Sequence, residues 1–292
     1  MALKNTLEWA RNEWGLFAKG TDRFRWLRQW VPFGMRTIGY GTLSITLGPF
    51  TRGGVSTWAA RRWSQSSARG LRISIEADGL DNTPTTGFVF ASNHQSLIDI
   101  LVLGAVLPGD FKWAAKRSVM NVPFLGWHLR LAGHVPVDRQ QGKGAALAVI
   151  HAFESVLVRE QPLLVFPEGT RSEDGQIKTF KNGGFQAAVN TQRPIVPVAL
   201  EGTYSLMSRK EVDTGSYSDP GAMRTVRVRV GTPIDPNPNL SSEDQVADLR
   251  ARTHAAVVDM HDALVREAER EKQQEAGAQA PTAVAAQRDS AP

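Results

Sequence analysis

The sequence predicts an α/β fold, in which a mixed central β-sheet is flanked by helices and preceded by a helical N-terminal segment. Two observations support this prediction. Short apolar runs of strand type alternate with longer segments that repeat their apolar residues at helical spacing. The first 72 residues also differ from the rest of the chain in charge and aromatic content. We therefore expect a helical segment followed by one α/β domain.

The predicted elements follow one another along residues 71–270. Residues 71–76 alternate as a half-buried strand, and further strands are predicted over residues 88–91, 111–115, 163–166, 195–200 and 225–230. Helices are predicted over residues 97–107, 123–131, 142–159 and 240–270. Leu147, Phe153 and Leu157 predict one buried face on the third helix. The alternation from Arg227 to Val230 predicts an edge strand or a strand with one exposed face.

Composition limits the chemistry. The chain has 292 residues, a formal net charge of +5 and no Cys. Without Cys it can form neither disulfides nor thiolate metal sites, and no acyl-cysteine intermediate is possible. No Gly-x-Ser-x-Gly elbow is present, which argues against a hydrolase of that type. The remaining His, Asp and Glu residues show no metal-ligand spacing, so no metal is expected.

The N-terminal 72 residues carry 12 Lys and Arg against 3 Asp and Glu, together with six of the eight Trp. Residues 37–51 form an uncharged segment that is too short to span a bilayer. Basic and aromatic residues around a short apolar segment predict a helical hairpin that lies at a membrane interface. An amphipathic helical pair packed on the core is the main alternative. Nucleic-acid binding is not expected, because no such module is recognisable.

The predicted domain organisation has three parts. Residues 1–70 form the basic and aromatic membrane-associating helical region, and residues 71–272 form the catalytic domain. Residues 273–292 are rich in Ala, Gln and Pro, and they predict a disordered tail.

The polar cluster after the second predicted strand carries His94 in a turn and Asp99 near the start of the following helix. Ser96 is the expected N-cap of that helix. A carboxylate at this place can reach back to the imidazole and hold it in one tautomer, which is a general-base arrangement. A capped helix start with an incidental His remains the alternative. His254 and Asp259 have the same spacing inside a predicted helix, where their side chains diverge, so no site is expected there.

Four sequence blocks between residues 88 and 200 resemble the signature blocks of the glycerolipid acyltransferases, the family of 1-acyl-sn-glycerol-3-phosphate acyltransferases. The first is Asn93-His94-Gln95-Ser96 with Asp99, and the third is Phe166-Pro167-Glu168-Gly169-Thr170-Arg171-Ser172. The second is similar to Lys116, Pro123–Gly126 and Gly133–Arg139, and the fourth to Val196–Leu200. His134 and Pro136 depart mildly from the usual apolar second block.

The resemblance implies transfer of a fatty acyl group from acyl-CoA or acyl carrier protein to the free hydroxyl of lysophosphatidate, without a further cofactor. It implies His94 as the base and Asp99 as its orienting partner. Arg171, Thr170 and Lys116 would contact the acceptor phosphate, with Lys112 and Arg117 as competitors of Lys116. Glu168 and Gly169 would shape the loop, unless Glu168 binds an acceptor hydroxyl. A surface salt bridge is the alternative for Arg171.

The expected partners are the bilayer, the lysophospholipid acceptor and the acyl donor, at the cytoplasmic face of the cell membrane in a peripheral or monotopic arrangement. Two alternatives stay open. One is the same chemistry on another acceptor, such as a lyso-ornithine lipid, glycerol-3-phosphate or another lysophospholipid. The other is a non-catalytic membrane-binding protein of the same fold.

Overall fold

The structure, a computed structural model, describes residues 23–51, 53–137, 143–207 and 223–279. Seven strands form its sheet: β1 (Ile73–Asp78), β2 (Val89–Ser92), β3 (Lys112–Lys116), β4 (Val135–Val137), β5 (Leu163–Val165), β6 (Ile195–Glu201) and β7 (Arg224–Val230). The helices are α1 (Arg23–Leu47), α2 (Gly54–Gly70), α3 (Asp99–Val106), α4 (Leu125–Leu131), α5 (Lys143–Val158), α6 (Gly183–Thr191), α7 (Tyr204–Met207) and α8 (Ser242–Gln279). The predicted α/β fold with a mixed sheet flanked by helices is confirmed.

The strand order is β1-β7-β6-β2-β5-β3-β4. All neighbouring strands run parallel except β6 and β7, which are antiparallel. The carboxyl ends of β2, β5 and β3 therefore meet at one edge of the sheet. In open α/β sheets this edge is where binding crevices form.

Helices cover both faces of the sheet. The α1–α2 hairpin, α3 and α4 pack on one face, around Phe88, Phe90 and Leu103. On the other face, α5, α6 and α8 pack around Val89, Phe185 and Leu249. Strand β2 is buried along its whole length, as expected for a central parallel strand. This burial fixes the position of the turn that follows it.

The predicted N-terminal hairpin is present within the described residues as α1 and α2, joined by a short 3-10 turn at Gly48–Thr51. Its inner face packs on the core through Trp30 and Phe33. A buried polar contact also fixes it, because Ser44 Oγ lies 2.6 Å from His128 Nδ1 on α4. The hairpin is thus a packed part of the fold, and its membrane role stays a prediction. Residues 1–22 lie outside the described residues.

Along the described ranges, no helix combines the length and the apolar character that crossing a bilayer requires. The outer face of the hairpin nevertheless exposes large apolar side chains, which are Val31, Met35, Ile38, Leu47, Phe50 and Trp58.

Three sequence predictions need correction. Strand β7 is not an edge strand, because β1 pairs with its outer side and Arg227 is buried among Glu76, Glu201 and Glu271. Leu147 does not belong to the buried face of α5, since it is exposed near the start of the helix. Helix α8 continues to Gln279, beyond the predicted start of the tail at residue 273. Residues 280–292 lie outside the described residues.

Candidate active site

A tight turn connects β2 to α3 and is organised by the carboxylate of Asp99, the first residue of α3. The Oδ2 atom of Asp99 accepts hydrogen bonds from the backbone N–H groups of Gln95 (2.7 Å) and Ser96 (2.9 Å). It also lies 2.8 Å from Nδ1 of His94. Ser96 does not cap α3 as expected; its hydroxyl accepts a bond from the N–H of Ile98 inside the turn. The fully buried Asp99 therefore holds the turn and the imidazole together.

This contact decides which nitrogen of His94 is available. An ionised carboxylate only accepts hydrogen bonds, so Nδ1 of His94 carries the proton that it donates to Asp99. Nε2 then carries the lone pair of a neutral ring. The ring of Phe166 stacks on the imidazole at a centroid distance of 4.0 Å. The side chain of His94 is 12% exposed, so the ring is held firmly and still reachable.

The loop after β5 is fastened to the same turn by Glu168. Its Oε1 accepts from the backbone N–H of His94 at 2.7 Å, and its Oε2 accepts from that of Lys178 at 3.1 Å. The N–H of Ser172 donates to the carbonyl of His94 at 2.8 Å. Burial raises the pKa of Glu168 to about 7, against the lowering effect of the two donors. Both carboxylate oxygens are engaged by backbone, which favours the loop-shaping role over contact with an acceptor hydroxyl.

Gly169 gives this loop its shape. Its φ angle of +73° lies in the left-handed region that favours glycine. A Cβ at this position would come within 2.5 Å of Nζ of Lys181, so the residue is also closely covered. Thr170 and Arg171 follow and are partly buried. The loop thus presents a hydroxyl and a guanidinium beside the His94 turn.

Lys116 ends β3, whose carboxyl end lies at the same edge of the sheet. Trp113 pairs with Leu164, and extending this parallel register by three residues sets Lys116 level with Pro167. Two strand spacings separate β3 from β2, or about 10 Å. The competitor Lys112 stands at the opposite end of β3, where it is buried and bonded to Asp110 at 2.7 Å. Arg117 is exposed on the following 3-10 turn.

Two contacts of the first block have no counterpart in the sequence analysis. The side chain of Asn93 bonds both the N–H and the carbonyl of Leu200, each at 2.8 Å, and so joins the first block to the fourth. The side chain of Gln95 reaches His261 on α8. An Asn beside a His indicates a polar turn but not its partner. No signal in the sequence identifies His261.

His128 and His134 lie apart from this edge, beneath the hairpin. The pKa of His128 is lowered to about 4, and that of His134 well below its ordinary value, in both cases chiefly by burial. Both rings are therefore neutral near pH 7, and His134 contacts the N–H groups of Trp113. Across the part of the chain that the structure describes, no group of three His, Asp or Glu side chains is arranged to hold a metal ion.

Comparison with known proteins places residues 74–201 in the family described as "Acyltransferase". The 1-acyl-sn-glycerol-3-phosphate acyltransferase of Saccharomyces cerevisiae is 36% identical over 142 residues, which are 48% of this chain and 47% of the yeast protein. The alpha enzyme of that name from Mus musculus is 33% identical over 163 residues, 56% of this chain and 55% of the mouse protein. The chain thus spans about half the length of these curated relatives.

The fold also has a counterpart among solved structures. The 1-acyl-sn-glycerophosphate (LPA) acyltransferase PlsC from Thermotoga maritima superposes with a TM-score of 0.61, covering 82% of this chain and 97% of that one. At 24% identity this likeness supports the fold, while the sequence matches identify the relatives. Through residues 74–201, the chain therefore belongs to the acyltransferase family that includes the 1-acyl-sn-glycerol-3-phosphate acyltransferases.

Proposed function

We propose that this protein transfers a fatty acyl group from acyl-CoA or acyl carrier protein to the free hydroxyl of lysophosphatidate, giving phosphatidate. The observation that carries the proposal is the hydrogen bond between His94 Nδ1 and the fully buried Asp99, because it leaves Nε2 of His94 as a base. The names of the curated relatives support the choice of acceptor.

The reaction needs a base because an alcohol is a poor nucleophile near neutral pH. Nε2 of His94 takes the hydroxyl proton as the oxygen attacks the thioester carbonyl, and Asp99 stabilises the resulting imidazolium. The tetrahedral intermediate collapses, the C–S bond breaks, and the imidazolium proton neutralises the departing thiolate. The products are the new ester and a free thiol. A thiolate leaves readily, so no acyl-enzyme is required.

The acceptor phosphate would be bound at the edge of the sheet where β2, β5 and β3 end. Arg171 offers a planar fork for two phosphate oxygens, and Thr170 adds a hydroxyl. Lys116 would contribute a second positive charge from the end of β3. The backbone contacts of Glu168 and the left-handed Gly169 would hold these groups against His94.

An acyl chain needs apolar space, and a mainly apolar cavity lies between the hairpin, α3 and α4. Its walls include Tyr40, Ile100, Phe111, Leu125 and Leu129. Ile100 directly follows Asp99 in the sequence, so the cavity begins close to the proposed base. We propose that it accepts an acyl chain of one of the two substrates.

The acceptor lies in a membrane, and the exposed apolar surface of the protein suggests how it is reached. The outer residues of the hairpin continue onto α4, where Trp127 and Leu131 are exposed. The two helices are contiguous because Gly41 packs directly against Phe124. Basic side chains border this surface, since Arg28 and Arg130 are exposed and Arg62 lies over Trp58. Apolar insertion with basic flanks suits a monotopic contact with the anionic cytoplasmic leaflet, where the thioester donor also arrives.

The absence of Cys makes this contact directly testable, because any introduced Cys is a unique labelling site. An environment-sensitive fluorophore would be placed at Met35→Cys, Leu131→Cys and, as controls on the opposite face, Leu147→Cys and Val158→Cys. We expect a blue shift on adding anionic vesicles only at positions 35 and 131. An unchanged spectrum at both would overturn the membrane surface, and an unchanged spectrum at 131 alone would confine it to the hairpin. Deleting the hairpin is a poorer test, because Trp30 and Phe33 belong to the core.

The proposed activity is tested with the full-length chain, vesicles that contain lysophosphatidate, and radiolabelled acyl-CoA or acyl carrier protein. We expect labelled phosphatidate and one free thiol per ester formed, and neither product from His94→Ala. Acylation of glycerol-3-phosphate or another lysolipid alone would overturn the acceptor assignment. Vesicle binding without acyl transfer to any acceptor would identify a membrane-binding protein of this fold.

A further inference from the structure

Gln95, the neighbour of His94, makes two side-chain contacts whose combination is informative. Its amide nitrogen Nε2 lies 3.1 Å from the carbonyl oxygen of Gly175 and 2.9 Å from Nε2 of His261. The side chain is buried. Gly175 belongs to the loop that follows Arg171, and His261 belongs to α8. One amide group therefore joins the His94 turn, the Arg171 loop and the C-terminal helix.

The chemistry of these partners fixes the orientation of the amide. A backbone carbonyl only accepts hydrogen bonds, so the NH₂ group of Gln95 must face Gly175. The second amide hydrogen then points to His261, whose Nε2 must accept it. His261 is consequently neutral with its proton on Nδ1, which lies 3.8 Å from Oδ1 of Asp262. The pKa of His261 is lowered, chiefly by burial, in agreement with a neutral ring.

Gln95 is also tied to the proposed base through its backbone. Its N–H donates to Oδ2 of Asp99, the same atom that holds His94. The loop on the other side has few long-range anchors among the described contacts, one being the bond from Tyr204 to the carbonyl of Glu173. A contact that fixes the Gln95 side chain therefore acts on both halves of the site.

We propose that His261 is a positioning residue of the acyl-transfer site: through Gln95 it holds the loop of residues 172–177, and with it Arg171, against the His94 turn. This inference rests on the proposed function. His261 lies outside residues 74–201, the part that matches the family, so it assigns α8 a role in acceptor placement. His261 touches no reacting atom and acts only through its neighbour.

The first test separates the hydrogen bond from simple packing. His261→Leu keeps the bulk and removes the acceptor, whereas His261→Gln can still accept from Gln95 through its amide oxygen. We expect His261→Leu to raise KM for a soluble short-chain lysophosphatidate about fivefold, the effect of one neutral hydrogen bond, with a smaller change for the acyl donor. His261→Gln should restore most of the loss. His254→Leu, on the same helix against Phe180, is the matched control and should leave KM unchanged.

The second test asks whether His261 acts through Gln95. In a double-mutant cycle with Gln95→Leu, the effects should be non-additive, so that His261→Leu changes little once Gln95 is replaced. Effects that multiply independently, or a His261→Gln variant as impaired as His261→Leu at equal melting temperature, would overturn the proposal.

A third measurement does not depend on activity. Hydrogen exchange of a peptide covering residues 172–178 should accelerate in His261→Leu but not in His254→Leu, while exchange in α6 stays unchanged. Equal protection of the loop in both variants would also overturn the clamp. If the protein acylated no acceptor, the proposed function would fail, yet this exchange result would still decide whether His261 positions the loop.

Discussion

Two segments of this chain share a His and an Asp five residues apart, and only one of them forms a pair. In the first, the chain turns between β2 and α3, and Asp99 lies 2.8 Å from His94. In the second, both residues lie inside α8, where five positions correspond to a rotation of about 140°. His254 packs against the ring of Phe180, whereas Asp259 is exposed. The spacing acquires chemical meaning only where a turn lets the carboxylate face back.

The largest expected effect breaks this comparison at its two histidines. His94→Ala should lower kcat by about 10²- to 10⁴-fold, because it removes the base that takes the hydroxyl proton. His254→Ala should leave kcat within about twofold, since it alters only an edge contact with Phe180. Steady-state kinetics with melting temperatures as a check on folding would measure both. Equal losses at equal stability would show that the turn does not define the base.

The two carboxylates give the next contrast. Asp99→Asn should reduce kcat by about a hundredfold, since a neutral amide cannot stabilise the imidazolium. Asp259→Asn should have no measurable effect, because Asp259 is exposed on α8. The same assay applies, and a nearly active Asp99→Asn would mean that the carboxylate only holds the turn.

Arg171 sharpens the comparison, since only the first segment has a phosphate-binding loop beside it. Arg171→Ala should raise KM for lysophosphatidate about 10- to 150-fold, as expected for loss of a charge-assisted pair. Arg171→Lys should recover only part of this, because an ammonium lacks the planar fork. Arg252→Ala on α8, near His254, is the control and should leave KM unchanged. An acceptor without phosphate that wild type and Arg171→Ala use equally well would argue against this role.

The smallest expected effect concerns the pH dependence of folding. Burial raises the pKa of Glu168 from 4.5 to about 7, so the folded state binds an extra proton between these values. The free energy of unfolding should therefore fall as pH rises from 4.5 to 7, by at most about 3 kcal/mol from this group, and level off above. Glu168→Gln should lack this component. Denaturant unfolding of both proteins at pH 5, 6, 7 and 8 measures the difference, and parallel pH profiles would contradict it.

The sequence was sufficient to predict the strands, most helices and the His94–Asp99 pair, because these features are local. Apolar runs bounded by polar turns identify strands, and a carboxylate in the first helical turn naturally faces the preceding turn. Even Lys116 could be placed, since a residue that ends a parallel strand lies at the shared edge of the sheet.

Features that depend on pairing across the chain could not be read in this way. The Arg alternation in β7 predicted an exposed strand, but β1 pairs with its outer side and buries Arg227 among carboxylates from β1, β6 and α8. Glu168 carries no mark that identifies the N–H of His94, 74 positions earlier, as its donor. His261 is hidden for the same reason. Charged and polar residues predict exposure until a distant partner satisfies them.

The position of β2 in the sheet has a consequence for the order in which the protein is made. Its neighbours β5 and β6 follow it in the chain, and β6 ends at Glu201, 109 residues after Ser92. At ribosomal speeds of roughly 5–20 residues per second, that chain takes about 5 to 20 s to synthesise. Meanwhile the nascent chain already contains α1, α2 and the His94 turn, but β2 has no strand to pair with. Ribosome-stalled chains that end before β5 should therefore expose an apolar, unpaired strand that attracts chaperones, and chains long enough to release β6 from the ribosome should lose that binding.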